Sequence, residues 1–296
     1  MRLFTWCPAA LVILAGFLAL AGCGVQEDDG TTTTAGPGAT ASSGTTASTS
    51  TTAVGDGVKV RVYFSCEEKV CAMLRTLPGA EDDVDGVAAA AVTALVAGPT
   101  ADEVARGVAS SIPAGTSLLD LGIDSGVATV DLSGEFAGGG GSLSTATRLA
   151  ELVFTLTQFP DVTGVELEVA GEAVTEFGSE GLIISHPMTR TDFESLSPAI
   201  LVESPLPGEA VTSPVRVAGT SNTYEATSLI KILDQNGEEI AFEVVTATSG
   251  NGQRGDFDVT IPYELDAAGA GTIVAYEESA EDGSIVNEVR IPVLLE

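Results

Sequence analysis

The chain has 296 residues, with 12 Lys and Arg against 42 Asp and Glu, one His and four Cys. That length makes two domains the natural starting point, and 34 Gly, 13 Pro and 44% apolar residues describe folded protein, not collagenous or disordered chain. A formal charge of −30 argues against nucleic acid, anionic lipid or wall polymer as charge-driven partners, and one His leaves little room for His-based catalysis or metal sites.

Arg2 is the only charge before Cys23, and Ala9–Gly22 is a run of 14 apolar or small residues. A bilayer span needs about 20 residues, so the run has the length of a signal-peptide core. It ends Leu20-Ala21-Gly22-Cys23. Those four residues resemble the lipobox of bacterial lipoprotein precursors. The resemblance implies cleavage before Cys23 and attachment of a diacylglyceryl group to its thiol, with palmitate as the label that reports it. An ordinary secretory signal with a chance Cys is the competing reading.

Thr31–Ala53 holds 14 Ser or Thr, five Ala, three Gly and one Pro, and no charge. Such a stretch buries too little apolar surface to offset the entropy of ordering, so it reads as a flexible tether. Between Cys23 and the first strand its root-mean-square reach is roughly 30–35 Å.

From Gly57 the pattern is that of folded protein. Lys59–Phe64 (KVRVYF) alternates as a half-buried strand does, and Val70–Leu77 (VCAMLRTL) reads as its hairpin partner. Cys66 and Cys71 flank the polar stretch between them. With Cys7 removed and Cys23 lipidated they are the remaining pair, and a hairpin places two such residues near bonding distance, so a local disulfide is expected. A zinc site would want four ligands, and C-x4-C is not the usual redox spacing; both stay as competing readings.

Gly86–Gly98 reads as an Ala-rich helix stopped by Pro99. Leu118–Ile123 and Val127–Leu132 alternate around an Asp-Ser-Gly turn. Gly138–Gly141 reads as a mobile loop without the Lys of a phosphate loop. Leu143–Phe159, with Leu149, Leu152, Val153 and Leu156 at helical spacing and Ser142 or Ser144 as its cap, is the clearest helix. Val165–Val169 returns as a strand. The order β-β-α-β-β-α-β predicts an α+β domain with helices against one sheet.

Four blocks in this stretch are Ala94-Leu95-Val96-Ala97-Gly98-Pro99-Thr100, Ile112-Pro113-Ala114-Gly115-Thr116, Val130-Asp131-Leu132-Ser133 and Thr155-Leu156-Thr157-Gln158-Phe159-Pro160. They resemble the GerMN domain of bacterial sporulation and spore germination, in that family's order. The Cys66/Cys71 hairpin departs from the family pattern. The resemblance implies an envelope assembly or interaction module, with no catalytic residue, cofactor or metal. The blocks also read structurally: Gly98-Pro99 ends a helix, Pro113 and Gly115 shape a turn, Asp131 is a backbone cap or solvated acid, and Gln158 is a helix C-terminal cap.

Glu81-Asp82-Asp83-Val84-Asp85-Gly86 has acids where a calcium loop begins, but Val92 stands where the closing Glu belongs. Acids at a helix N-terminus are the expected reading. His186, the lone His, would have to serve any Ser-His-acid triad; it sits beside Pro187 in a connecting stretch without a nucleophile elbow, so a surface or inter-domain His is expected.

From Ala199 the pattern is all-β. Ala199–Val202, Val215–Gly219, Leu229–Leu233, Glu239–Thr246, Gly255–Ile261, Gly271–Tyr276 and Val286–Leu294 give about seven short strands, with Asn236-Gly237 and Asp282-Gly283 as turns. They predict an immunoglobulin-like sandwich with Ile232, Phe257, Ile261 and Val274 in its core. Ser204-Pro205-Leu206-Pro207-Gly208, Ser213-Pro214-Val215, Ala218-Gly219 and Gly255-Asp256-Phe257 resemble the immunoglobulin-like domain associated with spore-germination lipoproteins.

The expected organisation is therefore a signal peptide at 1–22, a tether at 23–56, a GerMN-like domain at 57–180, a linker at 181–198 and a sandwich at 199–296. The expected role is a non-enzymatic lipoprotein at the outer face of the cytoplasmic membrane, held there by lipid on Cys23. It would act as a scaffold or interaction module for an envelope protein. A binding protein for peptidoglycan or a small ligand is the alternative.

Overall fold

The computed structural model describes residues 57–80 and 82–296. The expected lipid site Cys23, the leader and the tether lie outside the described residues.

β1 (Val58–Cys66) and β2 (Lys69–Leu77) form the expected antiparallel hairpin, with Phe64 opposite Cys71 and Cys66 opposite Lys69. Its turn is only two residues, Glu67 and Glu68, with φ of 50° and 66°. Both occupy the left-handed region that a type I′ hairpin turn requires, although neither is Gly. α1 (Val84–Ala97) starts where the Asp83 carboxylate accepts the Gly86 N–H at 3.1 Å, so Asp83 of the acidic run caps the helix. Gly98 at φ 83° ends it. α2 (Ala101–Ala105), missed in the sequence because five residues show no period, is opened by a capping box between Thr100 and Glu103.

β3 (Val108–Ala109) pairs with the end of β1. β4 (Leu118–Asp124) and β5 (Val127–Leu132) form a second hairpin over Ser125 and Gly126, both at positive φ. α3 (Ser142–Leu156) follows Gly141, which makes no side-chain cap. The expected Ser cap is not made: Ser142 is the helix's first residue, and its hydroxyl turns to Glu180. β6 (Gly164–Val169) then pairs parallel with β5. The short strands β7 (Glu172–Ala173), β8 (Glu176–Phe177) and β9 (Leu182–Ile183) complete this half.

The strands form two main sheets, β2-β1-β3 and β4-β5-β6-β7, where one was expected. The helices pack with both sheets: α1 contacts β1, β4 and α3, and α3 contacts β1 and β6. Eleven of the fifteen residues of α3 are buried, polar ones included, so the helix is enclosed beyond its apolar stripe.

The stretch 181–198, expected as a linker, is packed. Met188 bridges to Val165, and a 3₁₀ turn over Arg190–Leu196 buries Phe193 and Leu196 in the first core. The second half comprises β10 (Ile200–Ser204), β11 (Ala210–Val211), β12 (Val215–Ser221), β13 (Thr227–Leu233), β14 (Glu239–Thr246), β15 (Gly255–Ile261), β16 (Gly269–Glu278) and β17 (Ile285–Leu295). They build the expected sandwich from the sheets β10-β12-β15 and β11-β17-β16-β13-β14. Ile232, Phe257 and Ile261 join its core; Val274 is buried too, but Ile273 and Ala275 beside it supply the core contacts.

β10 serves both halves. Ile200 and Val202 enter the sandwich core, while Leu201 and, beyond the strand, Leu206 enter the first core. The period of two along a strand makes this division possible.

Candidate functional site at the domain seam

The block Thr155–Pro160 shows how sequence shapes the site. In an antiparallel pair, alternate residues of an edge strand turn their N–H and C=O away from the partner. On β1 these are Lys59, Arg61, Tyr63 and Ser65; Ser65 faces β3, and the other three lie beyond it, where β1 has no second strand. The Tyr63 N–H donates to Thr155 Oγ1 at 3.0 Å. The Arg61 N–H donates to Gln158 Oε1 at 2.8 Å, and Gln158 Nε2 donates back to the Arg61 carbonyl at 2.6 Å. One side-chain amide therefore stands in for a neighbouring strand. The same Nε2 reaches the Thr155 carbonyl at 2.6 Å, so the expected helix-end cap is present, but it is half of the residue's role.

Beside this edge, four side chains from three stretches of the chain meet in a largely buried cluster. The Tyr63 hydroxyl donates to the Glu203 carboxylate. Arg190 donates to Glu203 at 2.9 Å and to Thr157 Oγ1 at 2.8 Å, and its guanidinium lies over the rings of Tyr63 and Phe154 at 5.3 and 4.8 Å. Arg61 stands 4.0 Å from the same carboxylate. Burial pushes the Glu203 carboxyl up, but Arg190, the Tyr63 hydroxyl and Arg61 outweigh it and hold it below its ordinary range. Burial and the Glu203 charge raise the Tyr63 hydroxyl, so it remains a donor. Glu203 therefore stays a carboxylate and Tyr63 a donor at neutral pH, and the cluster fastens the halves together. A second fastening lies nearby: Arg254 donates to Glu194 at 2.9 and 3.1 Å and to the Pro198 carbonyl at 2.7 Å.

A cleft of about 350 Å³ opens at the seam. Val58, Leu74, Val84 and Phe159 contribute apolar wall from the first half, and Leu206 and Glu209 close it from the second. Lys59, Arg61 and Arg216 also line it.

Cys66 and Cys71 are joined by a disulfide with Cα atoms 5.8 Å apart, which closes the hairpin tip away from the cleft lining. Asp131 Oδ1 accepts the Gly171 N–H at 3.0 Å, the backbone role expected for it. His186 bridges Ser185 at 3.3 Å and Asp192 at 3.1 Å, which joins the residue types of a triad. All three lie on an exposed connection, and Asp192 is spent on capping Thr189, so the arrangement is a surface turn. Among the described residues no cluster of metal-ligating side chains forms, and no helix is long and apolar enough to cross a membrane. The seam residues Arg190, Glu203, Arg254 and Glu194 carry no local sequence pattern that marks them.

Arg148 and Glu151 lie on α3, inside the first core. Arg148 donates to the carbonyls of Ser111 at 3.1 Å and Gly139 at 3.2 Å, and to that of Phe136. Glu151 accepts from the Ser110 hydroxyl at 2.8 Å and the Ser111 N–H at 3.0 Å. Burial pushes the Glu151 carboxyl up to about 7, against these bonds and the Arg148 charge.

Residues 61–175 match the family described as Germane, sporulation and spore germination. Residues 199–284 match Gmad2, the immunoglobulin-like domain of bacterial spore germination. Among solved structures, the first GerMN domain of the sporulation protein GerM from Bacillus subtilis is 25% identical over 46% of this chain and 99% of that one, with a TM-score of 0.38. The tandem GerMN domains of the same protein are 20% identical over 71% of this chain and 63% of that one, also with a TM-score of 0.38. No curated protein sequence matches the chain.

Proposed function

Because this chain carries a sporulation and spore-germination domain followed by the immunoglobulin-like domain of bacterial spore germination, we propose that it is a non-enzymatic scaffold. In this reading lipid on Cys23 holds it at the outer face of the cytoplasmic membrane, the tether lifts the folded part off the headgroups, and that part engages an envelope protein.

The observation that carries the reading is the seam. Leu201 and Leu206 complete the first core, and the buried Arg190–Glu203 pair ties the halves, so the two halves are held in one fixed relation. A fixed relation suits a scaffold, which gains specificity by presenting prearranged surfaces. Growth in labelled palmitate is expected to label the protein, and Cys23→Ala to abolish the label; a mutant still labelled overturns the anchor. Affinity capture from solubilised membranes is expected to bring down a stoichiometric protein partner.

The cleft supports a second reading, a binding protein for peptidoglycan or a small ligand, since its volume falls in the range of ligand sites. Co-sedimentation with protein-free wall that survives deletion of the captured partner would favour that reading over the scaffold.

A further inference from the structure

We propose that the seam cleft takes an extended, acidic peptide segment of the protein partner, added as a short strand to the open edge of β1. The inference rests on the scaffold reading and specifies the chemistry that the partner presents.

The first observation is the edge itself. Tyr63 and Arg61 have their outward backbone groups met by Thr155 and Gln158. Lys59 is next in the same alternation, and among the described residues no loop or side chain bonds its N–H or C=O. It lies in the cleft lining. An unpaired strand edge at a cleft is a template for an added strand, whose main-chain bonds supply affinity without regard to sequence. Gln158 already occupies the adjacent position with one amide, so an incoming backbone would continue a pattern that the protein has begun.

The second observation is charge. Lys59, Arg61 and Arg216 are three of only 12 basic residues in a chain with 42 acids, yet they meet in one cleft. The present partners of Lys59 and Arg216 hold them loosely. Lys59–Glu209 and Arg216–Asp258 are surface pairs, with Lys59 and Arg216 about 60% exposed, and such pairs exchange readily. Arg61 pairs with the Glu203 carboxylate only at 4.0 Å and makes one long bond, from Nη1 to the Glu203 carbonyl at 3.4 Å; its buried Nε–H has no hydrogen-bond acceptor among the described residues. Carboxylates entering the cleft would find under-used cations.

The third is the wall. Side chains of an added strand point alternately to opposite faces. Val58 and Val60 offer apolar surface on one face of β1, and Lys59 and Arg61 stand on the other, where Leu74 lies opposite Arg61. Alternating apolar and acidic residues therefore fit. The net charge of −30 would draw a basic peptide to the surface at large, so preference for an acidic one is a signature of this cleft alone.

The test uses the full chain and a capped pentapeptide of alternating valine and aspartate, followed by amide chemical shifts and anisotropy. The peptide is expected to bind and to shift the Lys59 and Arg61 amides. Replacing its aspartates by lysine, or methylating alternate backbone nitrogens in either register, is expected to weaken binding by about tenfold or more. Arg216→Gln, at an exposed position, is expected to weaken it severalfold with the fold intact. Absence of shifts at Lys59 with millimolar peptide, equal binding of the lysine peptide, or indifference to methylation each overturns the proposal. Partner capture that persists alongside such a failure leaves the scaffold reading standing; peptide binding without any captured partner removes the scaffold reading alone.

Discussion

Arg190 donates to Glu203 at 2.9 Å inside the seam, although one residue belongs to the connection and the other to the first strand of the sandwich. Both side chains are largely buried, at 24% and 14% exposure. Removing one partner of such a pair leaves a buried charge uncompensated, at a cost of about 3–5 kcal/mol. Arg190→Met is expected to lower stability by that order in urea denaturation. Arg216→Ala, which breaks an exposed pair, is expected to stay within about 1 kcal/mol.

Glu151 sets a pH dependence of its own. Burial raises its carboxyl from 4.5 to about 7 in the folded protein, so the folded state holds a proton that the unfolded chain releases earlier. Stability from this group is full below about pH 4.5, falls as pH rises toward 7, and then levels. The shift corresponds to a loss of about 3 kcal/mol across that window. Denaturation curves at pH 5 and pH 8 are expected to differ by this order, and Glu151→Gln to flatten the difference.

The hairpin tip carries two left-handed residues that are not Gly, Glu67 and Glu68. Glu67→Asn with Glu68→Gly matches the preference of this turn and is expected to stabilise the protein by about 1 kcal/mol. Cys66→Ser with Cys71→Ser removes a closure worth about 2 kcal/mol for so short a loop. Thermal melts of the two double variants are expected to move in opposite directions, and non-reducing mass spectrometry of the parent protein to show no free thiol at either Cys.

Gln158→Ala strips the Arg61 N–H and C=O of their partner at a half-buried edge. An unmet backbone group costs roughly 1–3 kcal/mol. Amide exchange at Arg61 is expected to accelerate in this variant, while exchange at Tyr63, held by Thr155, stays slow.

Local periods made much of the fold legible. The 3–4 spacing of Leu149, Leu152, Val153 and Leu156 marked α3, and alternation bounded by Asn236-Gly237 or Asp282-Gly283 marked the sandwich strands. Both signals arise within a few residues, where side chains repeat against a single core. The division into two sheets was hidden, because nothing local says which strands neighbour each other in space. The candidate site was hidden for the same reason. Tyr63 and Glu203 are 140 residues apart and Arg61 and Gln158 are 97 apart, and neither separation leaves a period to read. Arg190 looked like part of a linker because a polar stretch beside Pro187 carries the composition of a loop.

The share that β10 takes in both cores also dictates an order of assembly. As the chain is made from its N-terminus, the first sheets and helices can collapse, but their core stays open until Leu201 and Leu206 have emerged. Domains usually finish folding one after another during synthesis. Here the earlier one must wait for the later one to begin, so a pause in synthesis near residue 200 would leave apolar surface exposed to aggregation.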